Sequence, residues 1–210
     1  MTLCQLGRQE GLDDYRKGTL HFINGQSLRY EKELEDLLGQ KAIKYSSDSF
    51  GHAYECYDMV MDSLIKVKFG DDFIDKLKLV ADSLFFDKRK NGIFDYFEVD
   101  TWALRENNDD QLGGEFIINY LNKKLTPKSS FRFVSNTVDR PYYLIEFTVD
   151  RDGGTKNTEI KERNNTERFA GTEEMIINEI GKIKNWIPPT IRNQSVAAKF
   201  QIGVAIESEK

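Results

Sequence analysis

Proline, cysteine and histidine are scarce in this sequence of 210 residues, with only four, two and two of each. The prolines, at 127, 141, 188 and 189, form no Pro-rich spacer. Cys4 and Cys56 cannot make a secreted disulfide framework, although they leave room for one bridge. A structural zinc site would have to use both cysteines together with His21 and His52. His52 and Cys56, spaced i, i+4, are read instead as a partly buried polar pair. A run of about 18 apolar residues, the length that spans a membrane, is missing. So is the apolar stretch that a signal peptide needs, since Met1 to Glu10 is largely polar. As the sequence stands the expected location is the cytoplasm; an upstream leader, since removed, would make it the periplasm. Lys plus Arg number 30 against 35 Asp plus Glu, a net charge of −5, which argues against a nucleic-acid partner.

Catalytic signatures are missing as well. The chain has no phosphate-cradling glycine loop, no nucleophile elbow and no His-Glu-x-x-His. Glu31, Glu33, Glu35 and Asp36 read as a solvated helix face rather than an acid–base pair. Asp150-x-Asp-Gly153 echoes the start of a calcium loop but lacks its third ligand position and closing Glu. The basic cluster Asp87–Gly92 is too short for a nucleic-acid stripe. The expectation is a protein that is not an enzyme and carries no metal or cofactor.

What is present is a normal globular mix, 39% hydrophobic and 31% charged, in a chain long enough to bury about 70% of its unfolded surface. Residues 1–108 carry 15 Lys/Arg against 20 Asp/Glu, and residues 109–210 carry 15 against 15. The shift falls at the polar, Gly-Gly-ending stretch 105–114, which divides the chain into an expected mainly α domain, 1–105, and a second domain, 106–210. In the first, a short strand at Leu20, Phe22 and Ile23 precedes an Asn24-Gly25 turn. Helices are expected over Tyr30–Leu38 and Ala53–Phe69. A third follows Asp71-Asp72, with its stripe at Phe73, Leu77, Val80, Ala81 and Leu84. A strand at Phe94, Tyr96, Phe97 and Val99 leads out.

The second half is expected to begin with a helix facing inward through Ile117, Ile118, Leu121 and Leu125. A strand over Tyr142–Val149 follows, then an Asp150–Gly154 hairpin turn and a polar strand over Thr155–Arg163. Thr172 is expected to cap a helix carrying Ile176, Ile180 and Ile183, stopped by Trp186-Ile-Pro-Pro189. Val196 to Ile206 then alternates over eleven residues. The fold class implied is α+β, a three-stranded antiparallel sheet covered on one face by two helices.

These second-half motifs resemble the TonB C-terminal domain family. The residues that carry the likeness are Ile145-Glu-Phe-Thr-Val-Asp-Arg-Asp-Gly153, Trp186-Ile-Pro188, the closing strand Val196–Ile206 and the lead-in Leu112–Leu121. Together they cover about residues 109–208. The resemblance implies a peptide-binding module for transport-linked energy transduction, gripping an extended segment of an outer-membrane receptor by strand addition. The edge it assigns is Phe200, Gln201, Ile202, Gly203 and Val204, with Asp150, Asp152, Gly153, Trp186 and Pro188 as structural motif. The family's membrane helix and Pro-rich spacer have no counterpart here. An intracellular structural or regulatory protein using the same strand for homodimerisation is the alternative.

Overall fold

The computed structural model describes residues 1–47, 51–105, 114–128, 131–169 and 171–208, with main chain alone at 51–54, 105 and 128. The chain divides into two compact units, Met1–Lys88 and Arg89–Lys210. This divide precedes the expected joint at 105–114, of which residues 106–113 lie outside the described ones. It falls where it does because the segment just after it pairs into the sheet of the second unit.

The first unit runs α1 (Leu3–Arg16), β1 (Leu20–Ile23), α2 (Glu31–Gly39), β2 (Ile43–Ser46), α3 (Gly51–Phe69) and α4 (Phe73–Arg89), the last crossing the divide by one residue. β1 and β2 are parallel, with Leu20 opposite Ile43 and Ile23 opposite Ser46. Parallel neighbours need a crossover, and α2 supplies it. The core gathers Leu20, Leu34, Leu38, Ile43, Tyr57, Met61, Ile65 and Ala81.

α1 was not expected. Thr2 begins it with a capping box: the Gln5 N–H donates to Thr2 Oγ1 at 3.2 Å, and the Thr2 N–H to Gln5 Oε1 at 2.8 Å. Its buried positions are Gly7 and Gly11. A Cβ on Gly11 would lie 3.1 Å from Val60 Cγ1, so α1 approaches α3 over a face of small residues. A Cys4–Cys56 disulfide ties the same two helices, and the Tyr57 hydroxyl donates to Asp14 Oδ2 at 3.1 Å. The bridge corrects the reading of Cys56 as half of a polar pair with His52; the side chain of His52 lies outside the described residues.

α4 turns inward much of the stripe expected: Ala81 is in the core and Phe73 and Leu77 pack against it. Val80 and Leu84, also expected there, are instead 46% and 40% exposed, while Phe85 and Phe86 are buried. Two phenylalanines bury more area than a valine and a leucine, which favours this shift in the last turns.

The second unit runs β3 (Ile93–Asp95), β4 (Leu104–Arg105), α5 (Gly114–Leu125), β5 (Phe131–Val134), β6 (Tyr142–Val149), β7 (Thr155–Asn164), α6 (Thr172–Ile180), β8 (Trp186–Ile187), β9 (Thr190–Ile191), β10 (Gln194–Ser195) and β11 (Ala197–Ser208). It is mixed α+β. Its main sheet has five strands rather than three: β6, β7 and β11 form the antiparallel centre, β3 joins β11 in parallel, and β5 joins β11 antiparallel. Of the two extra strands, the four-residue β5 was not expected, and β3 is the shortened start of one that was. The strand expected at 94–99 stops at Asp95. There the Asp95 N–H donates to Glu98 Oε2 at 2.8 Å, with Arg89 paired to the same carboxylate, and the chain turns.

Even-numbered β11 residues Ala198, Phe200, Val204 and Ile206 are buried, as are Tyr143, Ile145, Phe147 and Val149 of β6. The helices bury Ile117, Ile118, Leu121 and Leu125 of α5 and Ile176 and Ile180 of α6. Thr172 does not cap α6. Gly171 holds that position at φ 82°, and Thr172 is buried in the first turn. α6 also ends at Ile180, ahead of Trp186.

Candidate functional site

The two short motifs that carried the resemblance meet in space. In the β6–β7 turn the Gly153 N–H donates to Asp150 O at 2.9 Å and the Asp150 N–H to Gly154 O at 2.8 Å. Asp152 Oδ1 accepts the Gly154 N–H at 3.0 Å, and Asp150 Oδ1 accepts the Arg151 N–H at 2.8 Å. A bond from Lys156, then that main-chain donor, holds the Asp150 carboxyl below its usual range. Both aspartates are therefore spent on building the turn.

Gly153 sits at φ 76° against the Trp186 main chain, whose N–H donates to Gly153 O at 3.0 Å. A Cβ on Gly153 would fall on the Trp186 carbonyl oxygen, and 3.2 Å from its amide nitrogen. Buried, the indole stacks 6.1 Å from Phe147, and its Nε1–H donates to Thr155 Oγ1 at 2.9 Å. Sequence reasoning missed Thr155. Half-buried Pro188 and buried Pro189 follow, and Pro189 O accepts the Val196 N–H at 2.9 Å, leading the chain into β11. Asp150, Asp152, Gly153 and Trp186 thus form one bonded corner; Pro188 follows it, and Pro189 ties the chain to the residue before β11.

β11 lies inside the sheet. One edge pairs with β6 from Ala198 to Ala205. The other is shared, with β3 beside Ala197–Lys199 and β5 beside Ala205–Ser208. Between them Phe200, Gln201, Ile202, Gly203 and Val204 have no neighbouring strand among the described residues.

The phase of the ladder decides what this gap presents. The Ile206 N–H donates to Pro141 O at 2.8 Å on the β6 side. Main-chain groups alternate along an antiparallel pair, so even-numbered residues of β11 point to β6 and odd-numbered ones point away. In the gap the outward groups are the N–H and C=O of Gln201 and Gly203. Among the described residues neither meets a main-chain or side-chain partner there. Phe200 and Val204 are buried, whereas Ile202 between them is only half-buried.

The polar face around the gap is held in place. The Gln201 amide donates to Glu146 Oε2 at 2.9 Å, and Lys161 pairs with the other oxygen at 3.3 Å. Burial alone would raise the Glu146 carboxyl; the bonds from Gln201 and Lys161 outweigh it and leave the group below its usual range. Residues 135–141 link β5 to β6 across β11, and a Cβ on Gly203 would lie 3.2 Å from Thr137 Cγ2. Glycine here makes room for the chain's own crossing segment. Glu207 anchors that crossing, paired with Arg132 of β5 and Arg140 of the link.

At the sheet's other edge, the Thr155 N–H of β7 donates to Ile183 O at 3.2 Å, and the rest of the strand carries devices that discourage pairing. Two register shifts interrupt its pairing with β6, Asn157 sits at φ 50°, and Lys156, Glu159, Lys161, Glu162 and Arg163 line it.

No helix of the described residues is long and apolar enough to cross a membrane. Compared with family models, curated proteins and solved structures, the chain matches none.

Proposed function

We propose that the second unit is a peptide-binding module that takes an extended segment of a partner protein as an added strand on β11, between β3 and β5. The observation that carries this reading is the five-residue gap whose outward N–H and C=O groups, on Gln201 and Gly203, have no partner among the described residues. An added strand supplies the donors and acceptors those groups need, whatever its side chains. Its apolar side chains would meet Ile202, the half-buried position on an otherwise buried row. β7, by contrast, is blunted by bulges and charge. The partner is an extended segment of the kind that the TonB-type resemblance implies for outer-membrane receptors.

Four main-chain bonds at about 0.5–1.5 kcal/mol each give a weak grip, suited to transient contact. The test is titration of the full chain with an acetylated, amidated Thr-Val-Thr-Val-Thr peptide, followed by amide chemical shifts and hydrogen exchange. Before titration the amides of Gln201 and Gly203 should exchange far faster than those of Phe200, Ile202 and Val204, and on binding they should slow. Equal protection of all five in the free protein would end this reading. Association of the free chain that protects the same two amides would favour the homodimer instead.

A further inference from the structure

The first unit has an open strand edge of its own. Among the described residues β1 pairs only with β2, and the Asn24 N–H donates to Ser46 O at 2.9 Å. That bond fixes the phase: Leu20, Phe22 and Asn24 direct their main-chain groups to β2, while His21 and Ile23 direct theirs outward. Among the described residues those outward groups have no partner. A cleft of about 270 Å³ lies along this edge, lined by His21, Phe22 and Ile23 of β1 and by Asp58, Met59 and Asp62 of α3. Three consecutive strand residues alternate faces, so they line one cleft together only through their main-chain edge.

Across the cleft, Asp58 Oδ1 is buried and has no hydrogen-bond partner among the described residues. Burial, with the neighbouring Glu55 charge, pushes its carboxyl above the usual range. A buried carboxylate oxygen without a partner is costly, and a donor brought by a ligand would relieve that cost. Asp62 adds a second negative charge, already engaged by Lys66 at 2.5 Å. Residues 1–88 as a whole carry 12 Lys/Arg against 16 Asp/Glu, a net of −4. His21 adds no opposing charge near neutral pH, because burial and then the charge of Lys44 hold its imidazole below the usual value. Among the described residues no three Asp, Glu, His or Cys side chains converge as a metal would require.

We propose that this cleft binds an extended, basic peptide segment of a partner protein, its main chain pairing with His21 and Ile23 and one lysine side chain ending at Asp58. Exposed Met59 is the apolar surface against which that lysine's methylene stem lies. This site belongs to the first unit and differs from the β11 gap in chemistry. The second unit's grip is a main-chain one; this one adds a charge.

The test uses the full chain and two capped peptides, Thr-Val-Lys-Val-Thr and its glutamine counterpart Thr-Val-Gln-Val-Thr, with calorimetry and amide shifts. The lysine peptide should shift the amides of His21 and Ile23, and the glutamine peptide should bind at least about tenfold more weakly. Asp58→Asn keeps the side chain's size and removes the charge of a carboxyl whose Oδ1 has no partner among the described residues, so it should melt at or above the wild-type temperature. The same variant should bind the lysine peptide as weakly as the wild type binds the glutamine one. Equal affinity of the two peptides for the wild type would overturn the proposal. So would shifts confined to Gln201 and Gly203, or no binding at millimolar peptide.

Discussion

Gly153→Ala should be the most damaging single methyl group in the second unit. Two separate penalties meet at this residue. Its φ of 76° lies in the left-handed region, which costs an L-residue about 1–2 kcal/mol. Its new Cβ would land on the Trp186 carbonyl oxygen, a main-chain atom that cannot rotate away. Relieving that overlap pulls Trp186 from the turn and breaks its N–H bond to Gly153 O. It also strains the buried indole bond to Thr155. A lost buried bond of this kind costs about 1–3 kcal/mol, so the total is about 2–5 kcal/mol. Gly171 is the control, with φ 82° and nothing within 4 Å of its Cβ position. Gly171→Ala should therefore cost only the conformational part, about 1–2 kcal/mol. Asparagine tolerates the left-handed region, so Gly171→Asn should recover most of that loss, while Gly153→Asn should not. The assay is urea unfolding of the full chain, followed by fluorescence of buried Trp186. Equal losses at 153 and 171 would refute the claim that the hairpin and the Trp186 segment are locked by direct contact.

Three further outcomes follow from the same geometry. Replacing Cys4 and Cys56 by serine releases a loop closed over a sequence separation of 52, for which chain entropy predicts up to about 4 kcal/mol of destabilisation; a change below about 1 kcal/mol in urea unfolding would mean that the bridge adds nothing to the α1–α3 contact. His21, held below its usual pKa in the folded chain, should lower stability as pH falls below about 6.5, because the unfolded chain takes up the proton first, and the slope should flatten above pH 7. The difference in unfolding free energy between wild type and His21→Asn, measured from pH 7.5 to 5.5, isolates that dependence, and a flat difference would count against it. In β11, Gln201→Pro removes an outward donor and should abolish strand addition with the circular dichroism unchanged, whereas Ile202→Pro removes a bond to β6 and should cost about 3 kcal/mol or more; the reverse pattern would show that the ladder phase is misassigned.

The elements that the sequence revealed are those whose burial follows a period. β11, β6 and the inward faces of α5 and α6 carry large apolar residues at regular spacing, and they were legible. α1 was not, because its contact face is made of Cys4, Gly7 and Gly11. These recur at helical spacing but contribute almost no hydrophobicity; Leu3, Leu6 and Leu12 are instead 63%, 38% and 39% exposed. The α1–α3 contact depends on close approach and a covalent bridge, and a hydropathy pattern registers neither. β5 escaped for another reason. Its four residues are pinned by Asn122, whose side-chain oxygen accepts the Phe133 N–H at 2.7 Å and whose amide donates to Phe133 O at 2.9 Å. That side chain from α5 takes the place of a further strand, and nothing in the local period announces it.

The candidate edge was legible in a similar, partial way. Alternation along Val196–Ile206 marks a strand and separates its buried side from its polar one. It does not say which stretch lacks a neighbour, since that depends on where two distant strands stop. β3 stops at Asp95 because the Glu98 carboxylate captures the Asp95 N–H and turns the chain. β5 stops at Val134 because its chain must cross β11 to reach β6, and Gly203 lies beneath that crossing at Thr137. The length of the gap is thus set by a side-chain capture at one end and by a chain crossing at the other. If the gap is a binding edge, its length should respond to those devices. Glu98→Gln keeps a weaker acceptor, whereas Glu98→Ala frees the Asp95 N–H, and only the alanine should let the chain beyond Asp95 extend beside Phe200. The Gln201 amide would then become protected from exchange without any peptide, which ties the openness of the edge to one carboxylate.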